Sequence, residues 1–482
     1  MTEAIDNKTP AHGAHRTPEE RAARGKAARS EVPRSSQGAY ESASDRPDPI
    51  DLLGQQAKTR VGELVPLRYG RMLVSPFAFY RGAAKIMAHD LAGTPRSGIT
   101  VQCCGDAHVS NFGLFASPER RLVFDINDFD ETLPGPWEWD LKRLVASILI
   151  AARDNGFGAA DQERIVVATA AQYRGAMREF AAMTNLEVWY AHLDVDRVLE
   201  AGTLAGTGER IRPEGVKLTE KTAAKARTRD SMSAFTKLTY LADDGQRRIV
   251  DQSPLVVPID VMTAGDDREE LLGLLRGLMG VYRDTLDFDR RALIDQFELV
   301  DFARKVVGVG SVGTRAWIAL LLGRDVNDPL FLQIKEAEAS VFEDVLGAGE
   351  FSNHGQRVVI GQRRMQAVGD ILLGWVEATS PLDGKSRAFY VRQLRDWKGS
   401  VEIDQMTPKL LRGYGTLCGW TLARAHARTG DRIAIASYLG GSDRFDRAML
   451  EFALAYAEQN DSDYQRLVDA VESGRITAET GI

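Results

Sequence analysis

A chain of 482 residues, 44% hydrophobic and 27% charged, has ordinary globular composition but exceeds what one compact core usually serves, so two lobes are expected. Its formal net charge of -7 argues against a general nucleic-acid binder, which needs a concentrated basic face, while leaving room for a local basic pocket for one nucleotide. No run of about 18 apolar residues could span a membrane, no apolar signal segment opens the chain, and Cys103, Cys104 and Cys418 suit neither a disulfide framework nor a zinc site, so a reduced, cytoplasmic protein is expected.

Residues 1–48 are rich in Arg, Glu, Ala, Ser, Gly and Pro and poor in large apolar groups, which predicts a mobile tail, with folded structure starting near Arg60. Apolar spacing predicts a helix from Pro76 to Leu91 and a buried strand from Gly98 to Cys104. That strand runs into Gly105-Asp106-Ala107-His108-Val109-Ser110-Asn111. Residues 112–116 and 121–127 read as a hairpin around Ser117-Pro118-Glu119-Arg120, and Pro134-Gly135-Pro136 breaks the chain before an amphipathic helix. Residues 160–300 read as mostly helical, with a polar loop near Thr203–Gly215. From Val300 the pattern changes to two strands joined by a glycine turn, a third strand at 329–337, a helix at 355–368 and strands at 371–378 and 387–394. Helices return at 410–427 and 444–471. The division expected is a tail (1–48), a catalytic-loop lobe with a helical insert (49–299), a small nucleotide-binding lobe (300–400) and a helical C-terminal part packed on the large lobe (401–482).

Three constellations carry chemistry. In the loop after the first strand, Asp106 and Asn111 stand five positions apart, the spacing at which a kinase loop presents a base carboxylate and a metal-holding amide. A polar turn with local caps would have the same composition. The next strand ends in Asp125, Asp128, Asp130 and Glu131, which repel one another unless a cation neutralises them. Asp125 or Asp128 is the candidate ligand for Mg²⁺ beside Asn111, and the sequence leaves the choice open. The third is the turn Gly308, Gly310, Ser311, Gly313 between two strands, with Lys335 at the end of the third strand, 22 residues past the last glycine. A glycine turn followed by a strand, rather than a helix, suits a phosphate-covering loop with a strand-borne lysine for ATP phosphates. Taken singly, the turn is an ordinary hairpin and Lys335 a surface lysine. Together these groups are what phosphoryl transfer requires, and since the glycine turn follows the base loop, a circularly permuted order is expected.

The segments 76–91, 104–113, 124–147, 332–337, 355–367, 390–400 and 422–427 resemble an uncharacterised bacterial family, the domain of unknown function numbered 2252. More distantly, Gly105–Asn111 is similar to the loop of aminoglycoside and choline phosphotransferases. That resemblance implies Asp106 as catalytic base, Asn111 as metal ligand, His108 as a residue bracing its own loop, and Asp140 as an acid bracing the loop from the following helix. It implies an α+β, protein-kinase-like two-lobed fold with a large helical portion, using ATP and Mg²⁺ to phosphorylate a hydroxyl of a small molecule or protein. Two departures stand: Cys104 precedes Gly105, and no single Glu clearly fits as partner of Lys335. An inactive nucleotide-binding module is therefore one alternative. A metal-dependent phosphoesterase using Asp106, His108 and Asp128 is another, ranked lower because such sites need further histidines and the chain has seven in all.

Overall fold

A computed structural model describes residues 16–203, 213–262, 268–306, 308–379, 384–394, 396–399 and 401–480. The first fifteen residues of the expected tail and most of the expected polar loop (204–212) lie outside the described residues. The chain opens with helices α1 (Pro18–Glu31), α2 (Pro49–Ala57), α3 (Val65–Met72), α4 (Pro76–Gly82) and α5 (Ala84–Ala92). Strands β1 (Thr100–Cys103), β2 (Phe112–Ala116), β3 (Leu122–Ile126) and β4 (Leu133–Pro136) follow, then the long helices α6 (Trp137–Asp154) and α7 (Ala159–Ala182). Next come α8 (Asn185–Tyr190), β5 (Leu193–Asp194), α9 (Val195–Ala201), α10 (Pro213–Arg227), α11 (Ser231–Leu238), β6 (Thr239–Leu241), β7 (Arg247–Ile249), β8 (Val256–Pro258), α12 (Ile259–Met262), α13 (Arg268–Arg283) and α14 (Phe288–Ile294). The last third holds β9 (Glu298–Lys305), β10 (Ala316–Leu322), β11 (Pro329–Ala337), α15 (Glu343–Leu346), α16 (His354–Met365), β12 (Gly374–Thr379), β13 (Ser386–Gln393), α17 (Pro408–Thr429), α18 (Arg432–Leu439) and α19 (Arg444–Glu472). The fold is α+β, its strand pairs antiparallel. Among the described residues no helix is long and apolar enough to cross a membrane.

Two main cores form. In the larger, α6, α7, α17 and α19 pack around Trp137, Tyr173, Leu422 and Phe452, with Trp137 stacked on Tyr173 at 5.6 Å. The interleaved apolar residues of α6 explain this: sixteen of its eighteen residues are buried, so it is a central rather than a surface helix. The smaller core lies on one face of a six-stranded sheet of order β12-β13-β11-β10-β9-β8, around Phe302, Leu321, Leu332 and Val391. The β2–β3 hairpin and the glycine turn between β9 and β10 form as the apolar alternation predicts. Residues 76–91 divide at Ala83 into α4 and α5, and Pro134–Pro136 continue β4, paired with β1, instead of only breaking the chain.

The expected tail is the largest correction. Thr17 caps α1 in a reciprocal capping box with Glu20, and the helix lies along α18. Its interface uses small residues: a Cβ at Gly25 would stand 2.0 Å from the Ala434 carbonyl oxygen. Farther on, the half-buried Arg46 pairs with Asp90 (2.6 Å) and Asp463 (2.5 Å). Composition misled here because helix-to-helix approach through Gly25 and Ala28, plus ion pairs to residues some 400 positions away, needs no large apolar side chain. Gly25→Val should therefore force α1 off α18 at a cost of about 1–3 kcal/mol. Hydrogen exchange would read this as selective loss of protection over residues 18–31.

Candidate functional site

The Gly105–Asn111 loop is fixed from below by α6. Asp140, in the first turn of α6, accepts hydrogen bonds from the Cys104 N–H (2.8 Å) and the Gly105 N–H (3.0 Å), and lies 3.1 Å from His426 Nε2. His426 is thus interior, its other ring nitrogen 2.8 Å from the Tyr173 hydroxyl, and not a solvent-side helix-end histidine as its position in α17 suggests. Gly105 turns the chain with φ +82°, and a Cβ there would stand 2.1 Å from the Glu131 carbonyl oxygen, so only glycine fits. The Ser147 hydroxyl of α6 takes the Val109 N–H at 2.9 Å.

The loop then presents Asp106. Arg143, two turns along α6, donates through Nε to Asp106 Oδ1 at 2.8 Å, and its guanidinium lies 3.9 Å over the Tyr80 ring. Burial pushes Asp106 up to about 6 although Arg143 opposes it, and the neighbouring charges of Asp128 and Asp130 act in the same direction as burial. His108 is buried with Nε2 3.7 Å from Asp106 Oδ2. Burial, then the charges of Arg143 and Arg81, hold its pKa well below the usual range, so the ring is neutral, and its buried Nδ1 has no hydrogen-bond partner among the described residues. Asn111 donates from Nδ2 to the Asp106 carbonyl oxygen (2.8 Å) and accepts the Asn127 N–H on its own carbonyl (2.9 Å). These bonds join the base loop to the acidic segment.

That segment divides its carboxylates by role. Asp125 is 3% exposed and forms a buried ion pair with Arg424 of α17, also accepting the N–H groups of Ile126 (2.8 Å) and Ala367 (3.2 Å). Of the two metal candidates it is the committed one, facing the core instead of the cleft. Asp128 lines the cleft, where its one hydrogen bond is from the Asp130 N–H at 3.3 Å, and it has no ion pair among the described residues. Asp130 forms an ion pair with Lys335 and accepts the Tyr390 hydroxyl at 2.8 Å. Burial opposes the Asp130 charge, but Lys335 and Tyr390 outweigh it and hold the carboxylate below its ordinary value. Lys335, itself 3% exposed, is raised for the reciprocal reason. Burial pushes Glu131 up to about 7, and its Oε2 accepts the Val341 N–H at 2.7 Å.

The glycine turn meets these acids unevenly. Gly310 and Ser311 line the cleft, and the Ser311 hydroxyl stands 3.5 Å from Asp130 Oδ2. Gly308 (φ +69°) and Gly313 (φ +88°) instead shape the turn and dock it, their carbonyls taking Arg71 at 2.5 Å and the Val61 N–H at 2.8 Å. Helix α16 supplies no acid to Lys335. Its Arg357 donates to the carbonyls of Thr132 (2.6 Å), Asp130 (2.8 Å) and Glu338 (2.7 Å), clamping the acidic segment to the end of β11. Arg143 and Arg357 were not singled out from the sequence; their only local signal is an arginine on the buried face of a helix.

The cleft so formed has a volume of about 260 Å³ and places Asp106, Asp128, Asp130, Gly310 and Ser311 on one cavity. No group of three or more His, Cys, Asp or Glu side chains is arranged to hold a metal among the described residues. Of the two residues expected to hold Mg²⁺, Asp128 lines this cavity, whereas the Asn111 amide nitrogen is tied to the Asp106 carbonyl and Asn111 is not part of the lining.

The sequence profile of a family described as uncharacterized protein conserved in bacteria (DUF2252) matches residues 60–470, a span containing every one of these groups. No curated protein and no solved structure matches the chain.

Proposed function

We propose, for a chain that belongs to the uncharacterized bacterial family DUF2252, a phosphotransferase that moves the terminal phosphoryl group of ATP to a hydroxyl. The observation that carries the reading is the Lys335–Asp130 pair, which joins residues 205 positions apart and ties the buried lysine to one of the acids that line the cavity with Asp106, Asp128, Gly310 and Ser311. A glycine turn between β9 and β10, a lysine on β11, then α16 and the β12–β13 pair supply the parts of a kinase-like small lobe, with the base loop earlier in the chain. This order suits a permuted two-lobed arrangement.

In this reading Asp106 takes the acceptor hydroxyl proton on Oδ2, the oxygen not held by Arg143 Nε. The acceptor oxygen bonds to the γ-phosphorus, the bond from phosphorus to the β–γ bridging oxygen breaks, and ADP leaves with that electron pair. Lys335 and the Gly310–Ser311 backbone position the phosphates. Mg²⁺ held at Asn111 and Asp128 neutralises phosphate charge when bound.

One observation favours a second reading, a nucleotide-binding module without transfer activity: Asp130 already neutralises Lys335, where a kinase would use a helix-borne glutamate. ADP release under Mg·ATP with candidate acceptors separates the two, since only a transferase turns over. Lys335 is best tested together with its partner, because removing one member of a buried pair leaves a lone charge. The double variant Lys335→Met, Asp130→Asn should weaken Mg·ATP binding at least about tenfold, or ~1.4 kcal/mol. Calorimetric titration reads this, and undiminished binding by a folded double variant would remove the nucleotide assignment.

A further inference from the structure

The wall of the cleft opposite the acids comes from the N-terminal helices, and it is cationic. Arg60 precedes α3, Arg68 lies within it, and Arg81 ends α4; all three line the cavity that holds Asp106. Arg68 has no exposed surface, and its Nε and Nη1 have no hydrogen-bond partner, while Nη2 donates to Gln56 Oε1 and the Gly82 carbonyl, both at 3.0 Å. Arg60 donates through Nη1 to the Val312 carbonyl of the glycine turn, but its buried Nε is unpartnered. Arg81 makes no hydrogen bond or ion pair among the described residues, and its Nε is buried and unpartnered. Burial lowers the pKa of all three, and the acids across the cleft only partly compensate.

Buried guanidinium donors without partners are costly, and a fold retains them where a ligand satisfies them. An oxyanion is the chemical match, because the planar fork of arginine pairs bidentately with phosphate or carboxylate. The carboxylates lining the cavity do not fill this role: Asp106 is held by Arg143, Asp130 by Lys335, Glu131 by the Val341 N–H, Glu336 by Arg315 and Asp344 by Lys85, while Asp128 and Glu338 form no ion pair with the three arginines among the described residues. The position assigns the anion to one partner of the reaction. Lys335 and Ser311 approach the cavity from the sheet, whereas Arg81 lies on the side of the base, its charge acting on both Asp106 and His108. Groups beside the base face the acceptor. The cavity, about 260 Å³ in all and shared with Gly310 and Ser311, leaves room for a compact metabolite rather than a folded protein surface.

We infer that Arg60, Arg68 and Arg81 form an oxyanion receptor for the acceptor, which is a small hydroxyl compound carrying a phosphate or carboxylate group. The assignment to the acceptor rests on the phosphotransferase reading; the receptor itself does not. The experiment is a thermal-shift titration of the full chain with inorganic phosphate, alone and in the presence of saturating Mg²⁺ with the non-hydrolysable imido analogue of ATP. Phosphate should raise the melting temperature by about 1–3 °C, and this rise should persist on the analogue-bound protein. Arg81→Met should abolish the phosphate response while leaving the analogue response intact, and the apo variant should melt no lower than wild type, since Arg81 holds nothing in place. Arg60→Met, which loses a contact to Val312, should halve the response or more. An equal phosphate response in wild type and Arg81→Met overturns the receptor. Loss of the phosphate response once the analogue is bound, or loss of analogue binding in Arg81→Met, overturns the acceptor assignment by giving these arginines to the nucleotide. If the analogue fails to bind wild type while the Arg81-dependent phosphate response remains, the receptor stands and the nucleotide reading falls.

Discussion

Asp106→Asn should lower ADP release by about 10²–10⁴-fold while Mg·ATP still raises the melting temperature, because the loss falls on proton acceptance and not on phosphate binding. The same carboxylate should set the pH profile. Burial, reinforced by Asp128 and Asp130, places its ionisation at about 6, and a base must be ionised to accept a proton. Activity expressed as kcat/KM should therefore be level above that value and fall tenfold per unit as pH drops below it. Protonation is the inactivating step, so the limb lies on the acid side. Residual activity in the Asp106→Asn variant should lack this limb. A variant that keeps wild-type turnover would remove Asp106 from the chemistry, whatever the geometry of Arg143.

The second large effect separates the two acids that the sequence left as equal metal candidates. Asp125→Asn leaves the Arg424 guanidinium buried in the large core without its counter-charge, and unfolding free energy should fall by about 3–5 kcal/mol. Denaturant titration measures this through the midpoint. Asp128→Asn removes a carboxylate that no ion pair uses among the described residues, so stability should stay within about 0.5 kcal/mol of wild type. Instead the Mg²⁺ requirement for nucleotide binding should rise at least about tenfold. The reverse pattern, a stable Asp125→Asn that loses its Mg²⁺ response, would exchange the two roles. The double change Asp125→Leu, Arg424→Met should recover most of the lost stability, since no lone charge then remains in the core.

What the sequence carried was local. The strand into the base loop, the hairpin behind it and the glycine turn between two strands are readable because alternation and turn chemistry act over fewer than ten residues. Asp125 and Asp128 could not be told apart because the strand ends between them. Asp125 lies within β3, all of whose residues are buried, while Asp128 lies two residues beyond it, and the deciding partner, Arg424, is 299 positions away. Asp140 was readable as a brace through resemblance, but its link to His426 and Tyr173 was not, since three elements distant in the chain meet there. The arginine wall had no signal at all: Arg60, Arg68 and Arg81 share no period, and buried arginines look like surface ones until their surroundings are known. Strands β5 to β8, two or three residues each, are too short for any alternation to show.

The acidic segment that begins in β3 leaves the ribosome long before its partners Lys335 and Arg424 do. At about 5–20 residues per second, Lys335 follows Asp130 by tens of seconds at the slower rate, and Arg424 follows Asp125 by longer still. During that interval Asp125 and Asp130 lack the ion-pair partners they have in the folded protein. The ion pairs that hold Asp130 and Asp125 therefore form only after Lys335 and Arg424 have emerged, late in synthesis.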